Sequence, residues 1–134
     1  MPSLTPARLT IVLFQPDLAD RPERRSTVDL AHELLRTDAA VDVVAPMGGG
    51  PLRAALDPAV GQIDLAKRHV ATSPLALARV VAERQPVLLA VPGEVVWVGR
   101  LALWLARSKV PLVVLKGEVE ADMAAIRAAM PRSG

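Results

Sequence analysis

The sequence predicts an α/β domain: a three-layer α/β/α sandwich in which helices cover both faces of a Rossmann-like parallel sheet. Three observations carry this reading. Short apolar runs alternate with helix-period segments from one end of the chain to the other, as βαβ units require. The runs are built from Val, Leu, Ile and Ala, because aromatic residues make up only 2% of the chain, as Phe14, Trp97 and Trp104; strands buried on both faces have this composition. A length of 134 residues supports one core and leaves no room for a second of similar size, so residues 1–134 read as a single domain.

The elements follow in order. Arg8 to Phe14, RLTIVLF, is a strand bounded by Gln15 and Pro16. Ser26 or Thr27 can cap a helix running to Leu35, with Val28, Ala31, Leu34 and Leu35 on one face. Asp38 closes it, and Val41 to Ala45 is the second strand. A glycine turn leads to a short helix from Pro51 to Leu56 with proline at its first position, and a brief strand covers Val60 to Leu65. Thr72 or Ser73 then caps a helix whose apolar face is Leu75, Leu77, Ala78, Val81 and Ala82, and Pro86 prevents its continuation. Val87 to Val91 is wholly apolar and therefore central. Val95 to Ser108 reads as a helix apolar on most sides, with Trp97, Leu101, Trp104 and Leu105 as its heavy residues. Lys109 to Leu115 is a further buried strand. Glu118 to Met130 is a last helix, acidic at its start and basic near its end, which suits the helix dipole.

Composition excludes several classes. Hydrophobic residues at 51% and charged residues at 22% describe an ordinary globular chain. A formal charge of +2 is too small for a nucleic-acid footprint, and the densest basic group, Arg21, Arg24 and Arg25, sits beside Asp20 and Glu23 as a solvated loop or helix start would. With no cysteine there is no disulfide framework and no thiolate chemistry. His32 and His69 lack metal-ligand spacing, so neither a metal nor a cofactor is expected. No secretory leader and no run of the length of a membrane span is present, which reads as a cytoplasmic chain without an integral membrane segment.

In an open parallel sheet, ligands sit beyond the carboxyl ends of the strands where strand order reverses. The loops after the first, second and fourth strands, residues 15–25, 46–51 and 92–94, carry that edge. Gly48, Gly49 and Gly50 would let backbone N–H groups approach a sugar or phosphate, although the spacing matches no phosphate fingerprint and a plain turn uses the same glycines. Glu23, Asp17, Asp20 and Glu94 are the nearby carboxylates; spacing alone holds no two of them at a useful separation. Trp97 offers an indole to a sugar face, but its place in the helix reads as packing.

Three segments together resemble the N-terminal domain of family 4 glycosyltransferases, of the GT-B class. They are ERRSTVDLAHELLRTDAAVDVVAP at 23–46, GGGPLRAALDPAVGQIDLAKRH at 48–69, and LALARVVAERQPVLLAV at 75–91 followed by ALWLARSKVPLVVLKG at 102–117. The resemblance implies the acceptor-side half of a sugar transferase, with Glu23, Arg24, Gly48, Gly49 and Gly50 as substrate-binding candidates, to which the sheet edge adds Glu94, and no residue assigned as catalytic. It implies a sugar or glycolipid acceptor and a separate or missing domain that holds the nucleotide-sugar, so that the isolated chain does not turn over. Where the family has a Gly-Gly pair before Glu-Arg, this chain has Asp20, Arg21 and Pro22. Where it has a histidine after the fourth strand, this chain has Pro92, Gly93 and Glu94. Two other readings stay open: a non-enzymatic interaction module that forms homo-oligomers through an exposed apolar surface, and a small nucleotide-binding α/β domain.

Overall fold

The computed structural model describes residues 9–47, 49–67 and 72–131; Arg8, Gly48, Arg68 and His69 lie outside the described residues. Five strands form one parallel sheet: β1 (Thr10–Phe14), β2 (Ala40–Ala45), β3 (Gly61–Asp64), β4 (Leu88–Pro92) and β5 (Leu112–Leu115). Their order is β3-β2-β1-β4-β5. The chain thus builds outward from β1 in one direction, then crosses back to β4 on the other side. That reversal leaves a crevice beyond the carboxyl ends of β1 and β4, where open α/β sheets bind ligands.

Four helices cover the sheet: α1 (Pro22–Arg36), α2 (Pro74–Arg84), α3 (Val96–Leu105) and α4 (Val119–Ala129). Strand alternation assigns them to faces. Ile11 and Leu13 of β1 pack with Leu30, Ala31 and Leu34 of α1 and with Met123 and Ile126 of α4. Val12 and Phe14 point the other way, into Leu77, Val81, Val98 and Ala102 of α2 and α3. Both sides of β1 and β4 are therefore dry, which is why their sequences are apolar without alternation. This is the three-layer α/β/α Rossmann-like fold that the pattern predicts.

Several elements differ from the sequence reading. α1 starts at Pro22 and not at Ser26 or Thr27: proline presets the helical φ at a position that needs no N–H partner, and Glu23 sits at the positive end of the dipole. Thr27 is then interior, and its hydroxyl donates back to the Glu23 carbonyl at 3.2 Å. The turn from Pro51 to Ala55 is 3₁₀. α2 follows Ser73 and ends at Gln85, whose left-handed backbone (φ 47°) precedes Pro86. In α2 the buried face uses Val80, while Leu75 and Ala82 turn outward. β5 is an edge strand with Val114 exposed, not a strand buried on both faces. The largest departure is α3. Its core side is Val98, Gly99, Ala102 and Leu103, and the heavy residues Trp97, Leu101, Trp104 and Leu105 face outward, Trp97 against the packing role expected of it.

Candidate functional site

A cavity of about 190 Å³ opens at the crevice where strand order reverses. It is lined by Gln15 beyond β1, Glu23, Arg24 and Thr27 from the first turns of α1, Pro92, Gly93 and Glu94 at the end of β4, and Leu115, Lys116 and Gly117 at the end of β5. That volume is below the roughly 300 Å³ at which drug-sized pockets begin, so the cavity encloses about one sugar ring's worth of space.

Arg24 organises the site. The apolar stripe of α1, Val28, Ala31 and Leu34, extended back by one turn, falls on Arg24 and Thr27. Helical periodicity therefore buries the Arg24 side chain to 3% exposure; it is not the solvated arginine that its charged neighbours suggested. Its Nε donates to Asp17 Oδ1 at 3.2 Å and its Nη2 to Glu94 Oε1 at 3.1 Å. Asp17 Oδ1 also accepts the Ala19 N–H at 3.0 Å, a turn that holds this carboxylate toward α1. One guanidinium thus joins the loop after β1 to the turn after β4 and places two carboxylates that sequence spacing had left unconnected. Beside this clamp, Arg25 pairs with Asp20 on the surface. The Arg25 hydrogen bond holds the Asp20 carboxyl below its ordinary range, and the same bond raises the Arg25 guanidinium.

Gln15 is the second element. Its side chain is buried at 1% exposure, and its Nε2 donates to the Phe14 carbonyl at 2.9 Å. That bond fixes the orientation of the amide, because turning it over would set two carbonyl oxygens against each other. Oε1 is then left buried without a partner among the described residues. An unpaired buried acceptor costs about 1–3 kcal/mol, and it lies in a residue that lines the cavity.

The third wall is held from behind. Asp122 of α4, 3% exposed, accepts the Lys116 N–H at 2.8 Å and the Gly117 N–H at 3.1 Å. Asp122→Ala is expected to cost about 1–2 kcal/mol, near the lower end for an unmade bond, because both donors are reachable by water. Faster hydrogen exchange at Lys116 and Gly117, with α4 otherwise protected, is the signature to look for, and Asp122→Asn should recover part of the loss through its one acceptor oxygen.

The structure brings Glu23, Arg24 and Glu94 of the sequence-derived candidates together around this cavity. Gly49 and Gly50 are not among its lining residues. The loop that carries them follows β2, on the far side of β1 from β4, and Gly50 packs against the Leu18 backbone. Trp97 is half-exposed and also outside the lining. Sequence reasoning missed Gln15, Thr27, Lys116 and Gly117. A polar residue immediately after the apolar run of β1 was the available signal for Gln15, and the loop after β5 becomes a candidate only once the strand order is known. His32 Nε2 accepts the Asp57 N–H at 3.0 Å, a structural contact away from the site. Among the described residues no helix is long and apolar enough to cross a membrane.

No family model matches this chain, and no curated protein matches it. Among solved structures, the fold is similar to a glycosyltransferase from Rickettsia africae ESF-5, with a TM-score of 0.61 and 14% sequence identity. The match covers 78% of this chain and 28% of the other. At that identity the likeness is one of fold, and this chain spans under a third of the neighbour's length.

Proposed function

We propose that this chain is the acceptor-side half of a GT-B sugar transferase of the family 4 kind, and that the cavity beyond β1 and β4 receives a hydroxyl-bearing part of a sugar or glycolipid acceptor. The observation that carries the reading is the polar lining of the cavity, Gln15, Glu23, Thr27 and Glu94, with the Gln15 Oε1 atom buried behind it and without a partner among the described residues. Carboxylates at the rim accept sugar hydroxyls, and a rotation of the Gln15 side chain toward the cavity would let its oxygen accept another. Arg24 acts as a positioning residue, since two carboxylates already occupy its guanidinium. Among the lining residues Glu23 and Glu94 balance Arg24 and Lys116, and the Arg24 guanidinium is already taken by Asp17 and Glu94. A phosphate would find little free positive charge there, which favours a neutral polyol over a nucleotide.

Transfer needs donor and acceptor in one near-attack geometry, so the nucleotide-sugar has to come from a second half. The 134 residues incubated with UDP-, GDP- or ADP-sugars and acceptors should produce no transfer; turnover by this chain alone would refute the half-enzyme reading. Acceptor binding is tested separately by titrating the labelled chain with methyl glucoside, methyl mannoside and methyl galactoside. The Gln15 side-chain amide and the backbone of residues 93–94 and 116–117 should shift. Gln15→Leu should abolish those shifts with stability staying within about 1 kcal/mol of the parent, because it removes the orphaned oxygen together with the bond to the Phe14 carbonyl. Silence at the cavity with all three glycosides, or heat of binding with ATP, FMN or NAD, would overturn the sugar reading.

A further inference from the structure

The outward side of α3 is Trp97, Arg100, Leu101, Trp104 and Leu105. Both tryptophans of the chain are here, 46% and 73% exposed. They stand two helical turns apart, about 10 Å along the axis, with Leu101 and Leu105 beside them. Val114 extends the apolar surface: it pairs with Val91, which packs beneath α3, so it lies on the same side of the sheet, at the open edge of β5. A core fold with so few aromatic residues leaves its two largest side chains in water, which calls for an occupant.

Charge identifies that occupant. From residue 95 to residue 117 the chain has no Asp or Glu, and its charged residues are Arg100, Arg107, Lys109 and Lys116, all exposed. A second copy of this face would bring two basic rims together. An anionic bilayer surface offers both an apolar boundary for indole rings and negative headgroups for the rim. We propose that the face formed by α3 and the β5 edge docks on an anionic lipid surface, with Trp97 and Trp104 entering the headgroup boundary and Arg100, Arg107 and Lys109 meeting lipid phosphates. The inference is independent of what the cavity binds. It has a geometric consequence for it: the turn at Gly93–Val95, which lines the cavity, leads directly into α3, so docking would hold the cavity next to the lipid headgroups.

The test uses the whole chain with vesicles of phosphatidylcholine alone and of phosphatidylcholine mixed with phosphatidylglycerol. Because both fluorophores belong to the face, tryptophan emission should shift to the blue with the anionic vesicles, and the protein should sediment with them, less so in high salt. Trp97→Ala with Trp104→Ala should stop sedimentation and leave the thermal melt in place. Arg107→Gln with Lys109→Gln should lower partitioning about 25-fold, roughly fivefold per charge. No shift and no sedimentation with anionic vesicles would overturn the proposal, and so would equal binding to both vesicle types. A blue shift that grows with protein concentration without lipid, alongside a dimer in light scattering, would assign the face to a second copy instead.

Discussion

Gly50→Val is expected to lower stability by about 3 kcal/mol, the largest loss from a single change in the ligand-edge loops. Gly50 has φ 153° and ψ 161°, a region essentially closed to residues with a side chain, at a cost of about 1–3 kcal/mol. A Cβ there would lie 2.7 Å from the Leu18 carbonyl oxygen and 2.9 Å from its carbon, both backbone atoms that cannot rotate away. The same oxygen accepts the Leu52 N–H at 3.1 Å, and Leu18 is buried in the core. Pushing the two loops apart therefore breaks a hydrogen bond and disturbs core packing, adding about 1–3 kcal/mol. For a domain of this size the melting midpoint should fall by about 10 °C. Gly49→Val is the control, since a Cβ at Gly49 meets nothing within 4 Å; its effect should stay within about 0.5 kcal/mol. Melts followed by circular dichroism decide the matter, and a Gly50→Val protein as stable as the parent would disprove the packing account. If Gly49→Val weakens glycoside binding, the glycine turn belongs to the site despite its position.

Arg24→Ala should cost about 2–3 kcal/mol and remove glycoside binding. The guanidinium is the one buried member of a three-group bridge, while Asp17 and Glu94 remain 45% and 58% exposed. Breaking a fully buried pair costs about 3–5 kcal/mol because a charge is left dry; here the surviving carboxylates regain water, which lowers the cost. What stays lost is the arginine stem under the cavity and the link between the loop after β1 and the turn after β4. Arg24→Lys keeps the charge but presents one ammonium in place of a fork and cannot serve both carboxylates at the observed distances. It should recover part of the stability and little of the binding. Urea midpoints for the parent, the alanine and the lysine variants test this order, and an alanine variant with the parent's midpoint would contradict it.

The sequence alone determined the class of fold. Apolar runs mark β1, β2, β4 and β5, and the i, i+3, i+6 spacing of Val28, Ala31 and Leu34 orients α1, because these signals depend only on neighbours within one or two turns. It also put Glu23, Arg24 and Glu94 at the carboxyl edge of the sheet. Which strand lies beside which was decided by the tertiary structure. Pairing depends on the direction each crossover takes, and no local period encodes it. That choice put the end of β5 next to β4, and with it brought Lys116 and Gly117 to the cavity while the turn at Gly49 and Gly50 went to the other side of β1. It also joined Asp17, Arg24 and Glu94, separated by 7 and 70 residues, into one contact. α3 illustrates the same limit: with apolar residues all round, its periodicity favours no side. The sheet chose the side with Gly99 and Ala102, because a Cβ at Gly99 would already sit 2.9 Å from Leu112 and 3.0 Å from Val91. Close helix-to-sheet approach required the smallest residues inward, and the tryptophans were left facing out.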